Sequence, residues 1–215
     1  MFYKIVQWTL RLIFSWPIYI DIVRHDYPIT GNKIFAANHP STLDPVMLII
    51  ALDDRIHTLI AQSVFNIPII GHILRIIGNI PVADGQGKNA YQNALTKLRE
   101  GKNILIFPEG RLSDETGSVG ESFSGAVRLA IEAQVPIVPI GISFFKNKAY
   151  YKKMLIKNKP ETARFYFFGR YTITLGSPIY FLEKNISNET VQLKKKILME
   201  EIKKLSEESA IRLYS

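Results

Sequence analysis

A chain of 215 residues closes one full hydrophobic core but is short for two, so a single domain is expected. Its 47% apolar and 21% charged residues exclude a disordered chain, and the absence of cysteine excludes disulfides, thiolate metal sites and a cysteine nucleophile, which fits a reducing compartment. The formal charge of +8 calls for an anionic partner, whether nucleic acid, a membrane surface or an acidic protein.

The chain opens on MFYKIVQWTLRLIFSWPIYI, in which Lys4 and Arg11 interrupt the apolar run and Pro17 breaks it. No stretch reaches the ~20 uninterrupted apolar residues of a spanning helix, and no small-residue cleavage site follows it. Residues 1–24 are expected to form an amphipathic, membrane-associating helix, with a helix packed on the core as the alternative. Residues 25–215 form the main domain. Ile34–Ala37 reads as a buried strand, Pro45–Leu52 as a helix and His57–Ala61 as a strand. Val64–Ile77 is a broken apolar helix and Asn79–Val82 is strand-like. Lys88–Glu100 is a helix stopped by Gly101, Asn103–Phe107 a central strand, Gly125–Gln134 a helix and Pro136–Ile142 a strand. Arg164–Leu175 reads as one long strand, and Thr190–Glu208 as a closing helix with Leu193, Ile197, Leu198, Ile202 and Leu205 on one face. Strand and helix in alternation predict an α/β domain with a largely parallel or mixed central sheet flanked by helices.

Charge is concentrated between Lys146 and Arg170, where eight basic residues face the single acid Glu161, a net +7. Tyr150, Tyr151, Phe165, Tyr166, Phe167 and Phe168 are interleaved with them. Aromatics among cations suit single-stranded nucleic acid, a lipid headgroup interface, or a solvated basic loop leading into a strand.

Chemistry gathers at Asn38-His39-Pro40-Ser41-Thr42-Leu43-Asp44. Asp44 followed by Pro45 signals a helix start with Asp44 as its cap, so His39 lies in the loop leaving the strand's C-terminal end, where ligand sites of α/β sheets collect. Within one helix the two side chains would sit on different faces; a loop can fold imidazole onto carboxylate. Such a pair fixes the tautomer and leaves the other ring nitrogen as a general base. There is no GxSxG motif, so the base would act on a substrate hydroxyl. After the strand Asn103–Ile106 come Phe107-Pro108-Glu109-Gly110-Arg111: Gly110 permits a tight turn, Arg111 offers a donor fork for phosphate or carboxylate, and Glu109 could pair with Arg111 or a substrate hydroxyl. Val135–Ile140, VPIVPI, is a stiff strand able to wall an acyl channel or simply to fill the core.

These blocks, in this order and covering roughly residues 30 to 180, resemble the glycerolipid acyltransferase family, whose best known members acylate 1-acylglycerol-3-phosphate. His39 and Asp44 match its HxxxxD block, Phe107–Arg111 its FPEG block and Val135–Ile140 its VPxxPV-like strand. The resemblance implies transfer of a fatty acyl group from acyl-CoA or acyl-carrier protein to a lysophospholipid or glycerol-phosphate-type hydroxyl, with His39 as base and Asp44 orienting it. It implies substrate binding by Asn38, Ser41, Phe107, Pro108, Glu109, Gly110 and Arg111, no cofactor, no metal, no nucleic acid, and membrane lipids as partners. It also implies a peripheral or monotopic place on the cytoplasmic face of a membrane. One block departs from the pattern. Where the family carries G-x-I-P-V-x-R, this chain reads Gly78–Asp84, an acid in place of the phosphate-binding arginine. A carboxylate repels a phosphate, so either Arg75 or Lys88 substitutes or the acceptor is not a simple glycerol phosphate. A catalytically degenerate membrane-surface binding protein is the alternative that this departure raises.

Overall fold

The computed structural model describes residues 2–26, 30–113, 122–156, 159–181 and 187–215. A seven-stranded sheet runs through it in the order β1-β9-β6-β2-β5-β3-β4. Its parallel body is β2 (Ile34–Ala37), β3 (Ile56–Ala61), β4 (Ile80–Val82), β5 (Asn103–Ile106) and β6 (Ile137–Phe144). β9 (Gly169–Leu175) joins β6 antiparallel and carries β1 (Ile18–Arg24) parallel to itself at the edge. The mixed α/β architecture expected from the alternation of strand and helix is the one observed.

Strand alternation builds two cores. Phe35, Ala37, Leu105, Ile142 and Ile173 point into one layer with α2 (Asp44–Ala51) and the inner side of α1 (Phe2–Phe14). Ile34, Ala36, Ile104, Ile106 and Ile137 point into the other, against α5 (Gly87–Arg99), α6 (Gly125–Ala133) and α7 (Asn188–Arg212). Covering helices on both faces explain why these strands are almost wholly apolar. The break expected in the helical stretch Val64–Ile77 falls at Pro68, between α3 (Gln62–Phe65) and α4 (Ile70–Ile76).

Four expectations are corrected. The N-terminal helix stops at Phe14, and Ile18–Arg24 is the edge strand β1, because Pro17 ends the helix and β9 supplies a pairing partner. Arg164–Leu175 is two strands, with β8 (Lys159–Phe165) turning at Tyr166–Phe168 into β9. β8 pairs antiparallel with β7 (Tyr150–Ile156), so the basic segment is a hairpin and not a loop; Lys157 lies outside the described residues. On α7 the buried seam is Val191, Leu198, Ile202, Leu205 and Ser209, a helical spacing that leaves Leu193 and Ile197 exposed.

Candidate functional site

The five parallel strands end at one edge of the sheet, and the loops that leave β2 and β5 meet there. Asp44 is fully buried at the start of α2, yet its side chain makes no cap bond to that helix. This corrects the expected capping role. The carboxylate turns back into the loop, where Oδ2 stands 2.8 Å from His39 Nδ1 and accepts the Ser41 N–H at 2.8 Å, while Oδ1 accepts the Tyr171 hydroxyl at 2.6 Å. Three donors therefore hold one carboxylate. Burial and the Asp44 charge push the Tyr171 phenol well above its ordinary ionisation range, so it remains a donor.

A carboxylate at Nδ1 places the imidazole proton on that nitrogen and leaves Nε2 with its lone pair. The His39 ring is 18% exposed and stacks on Phe107, centroids 4.0 Å apart and planes within 18°. Among the described residues nothing hydrogen-bonds Nε2. The ring is thus fixed on one side by an acid, on one face by an aromatic, and open at the nitrogen that can take a proton.

Phe107–Gly110 is a tight turn closed by Gly110 N–H to Phe107 O at 3.0 Å, with Gly110 at φ 64°. The positive φ favours glycine here, and a Cβ would also press on the exposed Phe123 ring at 2.7 Å. Glu109 is buried, and its Oε1 accepts the Ser113 hydroxyl at 2.6 Å and the His39 N–H at 3.3 Å. Ser113 in turn accepts the His39 N–H on Oγ at 3.0 Å and donates its own N–H to His39 O at 2.8 Å. The FPEGR segment therefore braces the backbone of the histidine loop. Arg111 is exposed at this edge.

Asn38 and Ser41, expected among the substrate-binding residues, are buried with their side chains engaged by the protein. Asn38 donates to Ile142 O at 3.0 Å and accepts Ile142 N–H at 2.7 Å, tying β2 to β6. Ser41 Oγ donates to Arg164 O at 3.1 Å and accepts the Leu43 N–H at 3.2 Å. Pro108 is buried and its carbonyl accepts Phe123 N–H. Asp84 and Lys88 are exposed in and after the loop that leaves β4, at the same edge but at the sheet's margin. Arg75 lies on α4 with its guanidinium over the Phe65 ring at 5.7 Å.

Two residues escaped the sequence reading. Tyr171 reaches Asp44 from β9. Arg164, counted among the solvent-seeking cations, is 5% exposed and donates to Pro40 O at 3.0 Å and Ser113 O at 3.3 Å, joining the two loops. Tyr171 has only an aromatic-rich strand as its signal, and Arg164 has none. No group of three or more histidine, aspartate or glutamate side chains able to hold a metal occurs among the described residues.

A buried carboxylate and an open imidazole stand together at the C-terminal edge of a parallel sheet on an α/β scaffold, and residues 20–143 match the family described as Acyltransferase. The chain belongs to the acyltransferase family. Among similar proteins is the probable 1-acyl-sn-glycerol-3-phosphate acyltransferase of Mycoplasma pneumoniae, 31% identical over 202 residues, 87% of this chain and 74% of that one. The 1-acyl-sn-glycerol-3-phosphate acyltransferase of Borreliella burgdorferi is 26% identical over 134 residues, 61% of this chain and 52% of its own length. That of Escherichia coli is 30% identical over 122 residues, 55% and 49% respectively, so the chain spans about half the length of several curated relatives it matches. The crystal structure of the 1-acyl-sn-glycerophosphate acyltransferase PlsC from Thermotoga maritima superposes with a TM-score of 0.65 at 19% identity, over 94% of this chain and 79% of that one, a likeness of fold.

Proposed function

We propose that this protein transfers a fatty acyl group from a thioester donor, acyl-CoA or acyl-carrier protein, to a free hydroxyl of a lysophospholipid-type acceptor. The observation that carries the proposal is the chain Tyr171 to Asp44 to His39, which leaves Nε2 open at the sheet edge. In the reaction Nε2 takes the acceptor's hydroxyl proton as the oxygen attacks the thioester carbonyl carbon. The tetrahedral intermediate collapses with cleavage of the C–S bond, and the thiolate leaves with a proton from the imidazolium. Asp44, unable to move away from His39, stabilises the transient imidazolium. No covalent acyl-enzyme is involved.

His39→Ala should lower acyl transfer by roughly 100- to 10,000-fold, the range of general-base contributions, in protein that still folds. Activity near wild type in that variant, with either donor, would sink the mechanism. The relatives named for 1-acyl-sn-glycerol-3-phosphate acceptors suggest a phosphate-bearing substrate, and Arg111, exposed beside the histidine loop, is the cation offered to it. Asp84 at the margin of the same edge disfavours that phosphate. Asp84→Arg is accordingly expected to lower KM for glycerol-phosphate acceptors several-fold and to leave phosphate-free acceptors unchanged; equal effects on both would remove Asp84 from acceptor choice.

The apolar side of α1, with Ile5, Trp8, Leu12 and Ile13 exposed, supports a place on a bilayer surface, which this reading puts at the cytoplasmic face. No described helix is long and apolar enough to cross a membrane.

A further inference from the structure

The loop pair that holds His39 is roofed by a hairpin that the parallel sheet does not need. Between the C-terminal end of β6 and the start of β9 the chain runs out through a short 3-10 turn (Lys146–Lys148), then β7 and β8, and back. The excursion leaves and returns at the His39 edge. Its two strands pair with each other and not with the main sheet.

Its described surface has an uncommon composition. Lys148, Tyr150, Tyr151, Lys152 and Lys153 are all exposed, and the sequence from Phe145 to Pro160 contains no acid to neutralise them. The returning turn adds Phe167 and Phe168, the latter 68% exposed. The end of α1 meets the same rim, since Gly169 N–H donates to Pro17 O at 2.9 Å, and Trp16 beside it is 95% exposed. A Cβ on Gly169 would lie 3.9 Å from Lys148 Cδ, which puts the lysine stem at this junction. Arg170 is excluded from the patch, because Asp21 holds it at 2.8 Å.

We infer that this rim, Trp16 and Phe168 with Lys148, Lys152 and Lys153, docks on the anionic headgroup layer of a bilayer and so presents the His39 edge to lipid. Lysine and ring chemistry fit that occupant in complementary ways. Ammonium groups on flexible stems meet lipid phosphates and carboxylates, and indole and phenyl rings sit at the headgroup boundary. Exposed lysines on the projecting turn and hairpin supply the charge complementarity, far outnumbering the one acid of the segment, Glu161, whereas the exposed apolar side chains of α1 are accompanied by Lys4 and Arg11 alone. The rim is also mechanically tied to the site. Tyr151 lies under the Arg164 guanidinium at 5.6 Å, and Arg164 grips Pro40 and Ser113 in the loops that carry His39 and Glu109. The inference rests on the reading above only in that a lipid acceptor is presented from a bilayer.

The test uses the full chain and vesicles of phosphatidylcholine with or without phosphatidylserine. Wild type should sediment with the anionic vesicles and much less with the neutral ones. The triple variant Lys148→Gln, Lys152→Gln, Lys153→Gln should weaken anionic binding on the order of 100-fold at low salt, the product of three headgroup contacts. A charge-matched triple on α7, Lys196→Gln, Lys203→Gln, Lys204→Gln, should stay within a few-fold of wild type. Replacing the rim lysines by arginine should preserve binding, which separates lost charge from lost folding. In a Trp8→Phe background Trp16 is the single tryptophan, and its emission should shift to the blue and be quenched by brominated lipid on anionic vesicles. Equal weakening by the two triples, wild-type binding by the rim triple, or Trp16 emission unchanged on vesicles would each overturn the inference. So would a rim triple that binds vesicles normally but has lost binding to a single-stranded oligonucleotide. Acyl transfer to a detergent-dispersed acceptor is measured separately. Absent turnover with the expected vesicle order would refute the proposed chemistry and leave the docking surface standing.

Discussion

Tyr171 and Asp44 are 127 residues apart in sequence and 2.6 Å apart in space. The hydroxyl bond draws charge from the carboxylate oxygen that does not face the histidine, so Tyr171 sets both the rotation of the carboxylate and the strength of its pull on an imidazolium. Tyr171→Phe removes that donor and leaves Oδ1 buried and unpaired, at a stability cost of about 1–3 kcal/mol. The charge then concentrates toward Nδ1 and the imidazolium is held more tightly. The kcat is therefore expected to fall by about tenfold from the loosened geometry with KM little changed, whereas a purely structural role would lower the melting temperature and leave kcat of the folded enzyme where it was. At this scale the sequence announced His39, Asp44 and the FPEGR turn, because each is a local pattern at a strand end. Tyr171 and Arg164 were invisible because their roles depend on partners more than 50 residues away, and a lysine- and arginine-rich stretch gives no sign of which cation is buried.

Among the elements, α7 approaches β6 more closely than side chains permit. A Cβ on Gly141 would stand 2.0 Å from Leu205 C and 2.2 Å from Ser206 N, both backbone atoms. The contact is fixed by a buried polar ladder: Ser209 Oγ donates to Gly141 O at 3.0 Å, and Thr172 Oγ1 donates to Ser209 O at 2.8 Å. Gly141→Ala must displace a 25-residue helix from the strand. It should cost at least about 1–3 kcal/mol, as overpacking does, and lower the melting temperature by roughly 2–4 °C per kcal/mol. Gly87→Ala, at the open first turn of α5 with nothing within 4 Å of its Cβ, should raise it slightly. A Gly141→Ala protein as stable as wild type would show that α7 slides along the sheet. The helices and buried parallel strands were legible because apolar periodicity is local. β1 was not: IYIDIVR follows an apolar helix and has no partner until β9 arrives about 150 residues later. The turn at Tyr166–Phe168 was hidden for the opposite reason, since an unbroken aromatic run satisfies strand propensity on both sides of it.

For the whole molecule, acid stability turns on a histidine outside the site. His57 on β3 is 2% exposed, its Nδ1–H donates to Gly78 O at 2.9 Å, and its buried Nε2 has no partner among the described residues. Burial, with Lys97 and Arg55 adding positive potential nearby, lowers its pKa from 6.5 to about 4. The folded protein therefore keeps His57 neutral where the unfolded chain already takes a proton. The stability present above pH 6.5 is lost progressively as pH falls from 6.5 toward 4, and below 4 this group adds no further slope. Each unit of separation is worth about 1.4 kcal/mol, so between pH 6.5 and 4.5 the loss is about 2–3 kcal/mol, superimposed on whatever the carboxylates contribute. His57→Gln keeps a donor for Gly78 O and cannot titrate. It should start less stable than wild type at pH 7 and lose less on acidification, so that denaturant midpoints of the two proteins, measured at constant m, converge toward pH 4.5. Curves that stay parallel from pH 7 to 4.5 would show that His57 is charged in the folded state, and the acid sensitivity would then lie with other groups.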